Sequence, residues 1–117
     1  MIDRYTLPKM GEIWQEQNKF AKMLRLEILA CEALAKLGKI PKKALEKIKH
    51  KAKFDLVEIK KIEERTKHDV VAFIVNLGQN LGPESRYLHM GLTSSDLLDT
   101  SLSLQCIEAI DILITDI

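Results

Sequence analysis

Apolar residues recur at three- and four-residue steps along most of the chain, and no stretch alternates as a half-buried strand would. The clearest helical pattern lies between Asn18, a possible cap or bend, and about Leu37. It is followed by Gly38, a residue suited to a left-handed helix end. This spacing predicts an all-α fold with a strong helix over residues 18–37. Its apolar face carries Phe20, Met23, Leu24, Leu26, Ala30, Ala33, Leu34 and Leu37.

Caps and helix breakers divide the rest of the chain into further helices. Pro8 suits the first turn of a short helix over residues 8–17, because its missing N–H costs nothing there. Pro41 opens a helix with an apolar side and lysines elsewhere, and Asp55 with Glu58 resembles a capping box that starts another. A helix over residues 69–81 should then stop at Gly82 and a proline.

The last third of the chain combines a predicted loop with a long helix. Residues 84–91 have no sustained period, whereas residues 93–96 are N-cap types ahead of a helical run from about Leu97. The apolar positions of that run include Leu98, Leu102, Ile107, Ile110, Ile114 and Ile117. Because no Gly, Pro or basic residue ends the pattern, we expect a helix that is cut short and a chain that is part of a longer protein.

Composition narrows the class of protein without pointing to a ligand. The chain has 117 residues, of which 46% are hydrophobic and 30% charged, as in a globular domain. Its net charge of +1 gives no general attraction to nucleic acid or an anionic membrane. The lysine-rich residues 36–61 contain one aromatic residue, Phe54, and no series of aromatic residues that could stack on bases, which favours a solvated helix face over a nucleic-acid interface.

The remaining bulk features favour a cytoplasmic protein. Neither a signal peptide nor a membrane-spanning run is apparent in the sequence. Cys31 and Cys106 lie far apart among apolar neighbours, so we expect both to be buried free thiols in a reducing compartment. The sequence shows no metal-binding cysteine pair and no Gly-rich phosphate loop.

Two polar clusters near predicted helix ends could bind a ligand. Arg4 and Tyr5 precede the first helix, and together they suit a phosphate or carboxylate, although such a pair is commonly an ordinary surface feature. Lys67, His68 and Asp69 lie at a helix junction where His68 could orient a ligand or transfer a proton. The competing interpretation is that Thr66 and Asp69 cap helices around an exposed His68.

A third cluster runs from His89 to Thr93, Ser94 and Asp96. Hydroxyl groups and free N–H groups at the start of a helix can bind an anion, because the helix dipole is positive there. Helix capping explains the same residues equally well.

The ordered set of these clusters resembles the N-terminal region of adenylosuccinate lyases, which are members of the fumarase and aspartase superfamily. The similarity covers essentially the whole chain, and each motif alone is only moderately specific. It is carried by residues 1–5, 27–33, 66–73 and 89–96, followed by Asp99 and Thr100.

The resemblance implies a nucleotide substrate and a reaction that needs no organic cofactor. Such lyases release fumarate from adenylosuccinate, and from a succinylated carboxamide ribotide of purine synthesis, by β-elimination. For this chain the resemblance implies substrate contacts at eight positions. Arg4 and Tyr5 would hold the phosphate, and Thr93 and Ser94 would hold the succinyl carboxylates. His68 would be a catalytic residue. The positions are Arg4, Tyr5, Lys67, His68, Asp69, His89, Thr93 and Ser94.

The resemblance also implies a division of the active site between parts of the protein. Residues 1–111 would form the N-terminal substrate-binding domain, and residues 112–117 would begin the central helical bundle of a homotetramer with shared sites. A later histidine and a serine-bearing loop would lie after Ile117, so we expect these 117 residues alone to be inactive. The alternatives are a sister lyase, such as one acting on argininosuccinate, and a non-enzymatic helical interaction module.

Overall fold

The computed structural model describes residues 2–117, and in that range it contains helices and no strand. This confirms the predicted all-α class. None of the helices in this range is long and apolar enough to cross a membrane. The chain begins with a 3₁₀ helix, Asp3–Tyr5, and a second one, Gly82–Tyr87, precedes the last α-helix. The α-helices are α1 (Pro8–Ile13), α2 (Glu16–Lys36), α3 (Lys42–Lys51), α4 (Leu56–Thr66), α5 (Asp69–Gly78) and α6 (Ser94–Asp116).

The core forms where α2 and the α4–α5 hairpin meet. Phe20 of α2 stacks on Phe73 of α5 with 5.3 Å between ring centroids, and Phe54 closes the cluster at 6.0 and 6.2 Å from these two rings. Ile48 and Leu77 are fully buried around it. Helix α3 packs on α2, and α6 packs along α2 and α1. The lysines of α3 face outward, in keeping with the predicted solvated face.

Helix α2 ends as predicted, at a glycine in the left-handed conformation. Gly38 has φ of +76°, and its N–H donates to the carbonyl of Ala35 at 3.0 Å. The next N–H, from Lys39, donates to Leu34 at 2.9 Å. These two bonds satisfy carbonyls that the helix end would otherwise leave free, which is the Schellman arrangement.

The boundary between the first two α-helices was predicted too late in the sequence. Helix α1 ends at Ile13 and α2 begins at Glu16, so Asn18 lies inside α2. The Asn18 amide donates to the Ile13 carbonyl at 2.9 Å, and Gln105 of α6 donates to the same oxygen at 2.8 Å. Asn18 therefore closes the preceding helix, because its partner is the end of α1.

The segment between α5 and α6 is more ordered than predicted. Helix α5 ends at Gly78, before Leu81, and the predicted loop over residues 84–91 is a 3₁₀ helix as far as Tyr87. A side-chain carbon on Gly78 would lie 3.3 Å from the Cβ of Ser85. The missing side chain thus permits the close approach of the 3₁₀ helix to α5.

Helix α6 directs most of its large apolar side chains away from the domain. It starts at Ser94, three residues before the predicted start, because Thr93 is the N-cap. Its inward face has a four-residue spacing and includes two polar residues: Leu97, Ser101, Gln105 and Ala109 are buried. The apolar positions that define the sequence pattern lie mostly outside, at Leu102, Ile107, Ile110, Ile114 and Ile117.

Only one of the two cysteines is buried as predicted. Cys31 is buried, and burial, with a smaller effect of the Glu27 charge, raises the pKa of its thiol to about 11. Cys106 is exposed on α6. Its apolar neighbours in sequence belong to the outward face of that helix, which explains the incorrect prediction.

Asn76→Ala should destabilise the protein by about 1–3 kcal/mol, the usual cost of leaving a buried polar group unpaired. The buried Asn76 side chain accepts from the Asp55 N–H at 2.8 Å and donates to Gln79 at 3.0 Å. Urea unfolding measures the loss. Asn80→Ala is the control, since Asn80 makes one longer bond, to the Lys53 carbonyl at 3.3 Å. Equal losses in the two variants would contradict the expectation.

Candidate functional site

The N-termini of α5 and α6 meet at His68 and Ser94. His68 is the N-cap of α5, and its Nδ1 accepts a hydrogen bond from the Val71 N–H at 3.2 Å. An imidazole that accepts at Nδ1 carries its proton on Nε2, and Nε2 lies 3.4 Å from the Ser94 hydroxyl. The structure therefore brings together two residues from separate predicted clusters, at the positive ends of two helix dipoles.

The junction between α4 and α5 is stabilised by the conformation of its backbone and by local hydrogen bonds to it. Lys67 has φ of +55°, which ends α4 in the left-handed conformation, and the Thr66 hydroxyl bonds to the backbone of His68. Asp69 is half-exposed, with Oδ1 at 3.7 Å from Nδ1 of His68. His68 is exposed and Asp69 accepts from the Val70 N–H at 2.8 Å, as the capping interpretation expects, but the N-cap of α5 is His68 itself.

The polar groups of Thr93 are hydrogen-bonded to a residue in the first turn of α6. Its N–H and its hydroxyl both donate to the Asp96 carboxylate, at 2.8 and 3.1 Å. These two hydrogen bonds, with a smaller effect of the nearby His89, lower the pKa of Asp96. Capping therefore accounts for Thr93, whereas the Ser94 hydroxyl points toward His68.

His89 is anchored by a residue that the sequence interpretation did not single out as functional. Both oxygens of Glu27 contact it: Oε1 lies 2.6 Å from the ring Nδ1, and Oε2 accepts from the backbone N–H at 2.8 Å. Glu27 is fully buried in α2. The sequence contained a signal, because a lone carboxylate interrupts a buried stripe formed by Phe20, Met23 and Cys31.

Arg4 and Tyr5 lie at the other end of the molecule. Both are exposed, with the Arg4 guanidinium over the Tyr5 ring at 4.8 Å. Tyr5 borders a groove whose far side is formed by Ile112 and Leu113 of α6. With a rise of about 1.5 Å per residue, roughly 27 Å of helix separates Ser94 from Ile112. One copy of the chain therefore does not bring the Arg4 pair to His68.

Across residues 2–117, His, Cys, Asp and Glu side chains do not gather in groups of three or more that could hold an ion. The site at the starts of α5 and α6 can bind and orient an anion through two helix N-termini, the Ser94 hydroxyl and the His68 imidazole.

Comparison with known proteins gives consistent matches along the chain. A family model described as "Lyase" matches residues 3–117. The adenylosuccinate lyase of Aquifex aeolicus is 52% identical over all of this chain, which covers 28% of that protein. The adenylosuccinate lyase of Bacillus subtilis is 47% identical over all of this chain, which covers 27% of it. The chain thus spans just over a quarter of the length of these relatives.

A solved structure supports the fold. The crystal structure of a fumarate lyase from Mesorhizobium sp. BNC1 superimposes with a TM-score of 0.77 and 25% identity. The match covers 86% of this chain and 24% of that one.

Proposed function

The chain belongs to the lyase family, and on that premise we propose that it forms the N-terminal part of an adenylosuccinate lyase, which releases fumarate from adenylosuccinate by β-elimination. The observation that carries the proposal is the identity of 44–52% to curated adenylosuccinate lyases. The convergence of two helix N-termini at His68 and Ser94 supports it, because the substrate carries carboxylates.

The proposed roles are those that the resemblance to adenylosuccinate lyases implies for each cluster. Ser94 binds a succinyl carboxylate together with Thr93, whose hydroxyl turns from Asp96 to the substrate. Lys67 and Asp69 flank His68 at the same junction, and His89 contacts the substrate phosphate. Arg4 and Tyr5 hold phosphate as well, from the other end of a chain.

His68 can exchange partners as its protonation changes. In the structure Nδ1 accepts from Val71, which requires a free lone pair on that nitrogen. When the ring takes up a second proton, Nδ1 becomes a donor, and Oδ1 of Asp69 lies 3.7 Å from it. His68 can therefore hold a proton for the leaving nitrogen at Nε2 and pass it on during elimination.

A complete site then needs more than one copy of the chain. The separation of Arg4 from His68 supports shared sites in a homotetramer, as does the outward apolar face of α6, which could pack in a central bundle that begins at residues 112–117. The 117 residues alone should be inactive. A cytoplasmic location stays a prediction from the sequence.

We expect the full-length gene product to convert adenylosuccinate to AMP and fumarate, followed by absorbance and by fumarate assay. The isolated 117 residues should give no fumarate. Turnover of argininosuccinate alone would assign the protein to a sister lyase. Absence of turnover on either compound would favour the other candidate, a helical interaction module that uses the exposed apolar residues of α6.

A further inference from the structure

Glu27 is a carboxylate in a position where the rest of the helix face is apolar. It lies on α2 between the buried Met23 and Cys31, and its own side chain has no solvent exposure. Burying a carboxylate is costly unless hydrogen bonds and an opposite charge compensate for it. Both of its oxygens are used, and both bind the same residue, His89.

The two contacts fix the backbone and the ring of His89 together. The backbone contact holds φ at +59°, a conformation that residues other than glycine rarely adopt. The ring contact directs Nδ1 to the carboxylate, as a buried acid does when it orients a catalytic imidazole. Nε2 is left on the opposite edge of the ring, with no hydrogen-bond partner among residues 2–117.

The ring also lies beside the N-terminus of α6. Its charge contributes to lowering the pKa of Asp96, which is in the first turn of that helix. His89 also precedes Thr93, the N-cap of α6, by four residues, and Ser94 at the start of that helix lies 3.4 Å from the His68 ring.

We propose that Glu27 is a positioning residue that holds His89 with Nε2 facing the substrate phosphate. An imidazole protonated at both nitrogens donates from Nδ1 to Glu27 and from Nε2 to a phosphate oxygen, and the Glu27 carboxylate balances its charge. The inference rests on the proposed function and adds to it a residue that would not touch the substrate. A purely structural Glu27 would instead only tie α2 to the segment after the second 3₁₀ helix.

The test is a double-mutant cycle in the full-length enzyme. Glu27→Gln keeps the shape and can still bond both groups of His89, its amide oxygen accepting from the backbone N–H and its amide N–H donating to a neutral Nδ1. It removes the negative charge that balances a ring protonated at both nitrogens. We expect KM for adenylosuccinate to rise on the order of tenfold, while kcat changes by less than about threefold. In the presence of His89→Gln, Glu27→Gln should have no further effect on KM.

Glu32→Gln is the matched control. It lies on the same helix, is only half-buried and pairs with Lys49 at 2.7 Å, so KM should not change. Thermal melting checks the folding of each variant, and Glu27→Asp, which keeps the charge but shortens the reach, is a second variant expected to raise KM selectively.

The outcomes separate this inference from the proposed function. Independent, additive effects of Glu27→Gln and His89→Gln on KM would overturn the positioning role alone. Failure of both Glu27 variants to fold would also overturn it, since Glu27 would then be a folding residue. If the unmodified enzyme does not turn over adenylosuccinate, both proposals are overturned.

Discussion

His68→Asn should lower kcat of the full-length enzyme by about 10²- to 10⁴-fold, the usual contribution of a proton-transferring side chain. Asparagine is itself a good N-cap, so its oxygen can still accept from the Val71 N–H and α5 should keep its start. It cannot titrate, and it does not reach Ser94 as Nε2 does. The substitution therefore removes the chemistry of the residue and retains its capping role.

Steady-state kinetics and thermal melting together decide this prediction. The melting temperature of His68→Asn should stay within a few degrees of that of the unmodified enzyme, as expected for a change of less than about 1 kcal/mol. His50→Asn is the control, because His50 is an exposed histidine near the end of α3. A His68→Asn enzyme that retains kcat within about threefold would show that this histidine only caps the helix.

The elements that depend on local sequence were predictable. Gly38 ends α2 because a left-handed position favours glycine whatever surrounds it. Asp55 caps α4 by accepting from the Glu58 N–H at 3.0 Å, which is one half of the predicted capping box. The Asp55 N–H itself donates to Asn76. The all-α class follows from the same kind of information, since apolar spacing reflects the helical repeat directly.

The features that depend on distant partners were not predictable. Asn18 resembles a cap for α2, yet it bonds to the Ile13 carbonyl at the end of α1. Gln105, 92 residues after Ile13, donates to the same oxygen, and sequence spacing does not indicate that contact. The inward face of α6 contains Ser101 and Gln105, so a search for apolar spacing selects the opposite face. Only a packed structure shows which side of a helix is covered.

The candidate site, like the fold, could be predicted from the sequence only in part. Its residue types were evident from the sequence, including the hydroxyl groups and histidines at helix starts. Their relations were not: the meeting of His68 with Ser94, the Glu27–His89 pair and the remote position of Arg4 are tertiary facts. The last of these leads to a further prediction.

Two inactive variants should restore activity when they are assembled together. Arg4→Glu places a negative charge where phosphate is proposed to bind, and His68→Asn removes the proton carrier, so each homogeneous enzyme should have less than about 1% of normal kcat/KM. If each site takes Arg4 from one copy and His68 from another, random mixing leaves roughly one quarter of the sites with both native residues. Co-expression with two affinity tags, followed by tandem purification, isolates the mixed assemblies for assay.

The control for this experiment uses two residues from one end of the chain. His68 and Ser94 are 3.4 Å apart within a single copy, so mixing His68→Asn with Ser94→Ala leaves no copy with both native residues and should restore nothing. If activity recovers when Arg4→Glu is mixed with His68→Asn but not in the control mixture, Arg4 of one copy and His68 of another belong to the same active site. If neither mixture recovers, Arg4 and His68 do not act on the same substrate from different chains, since about 27 Å of α6 prevents them from doing so within one.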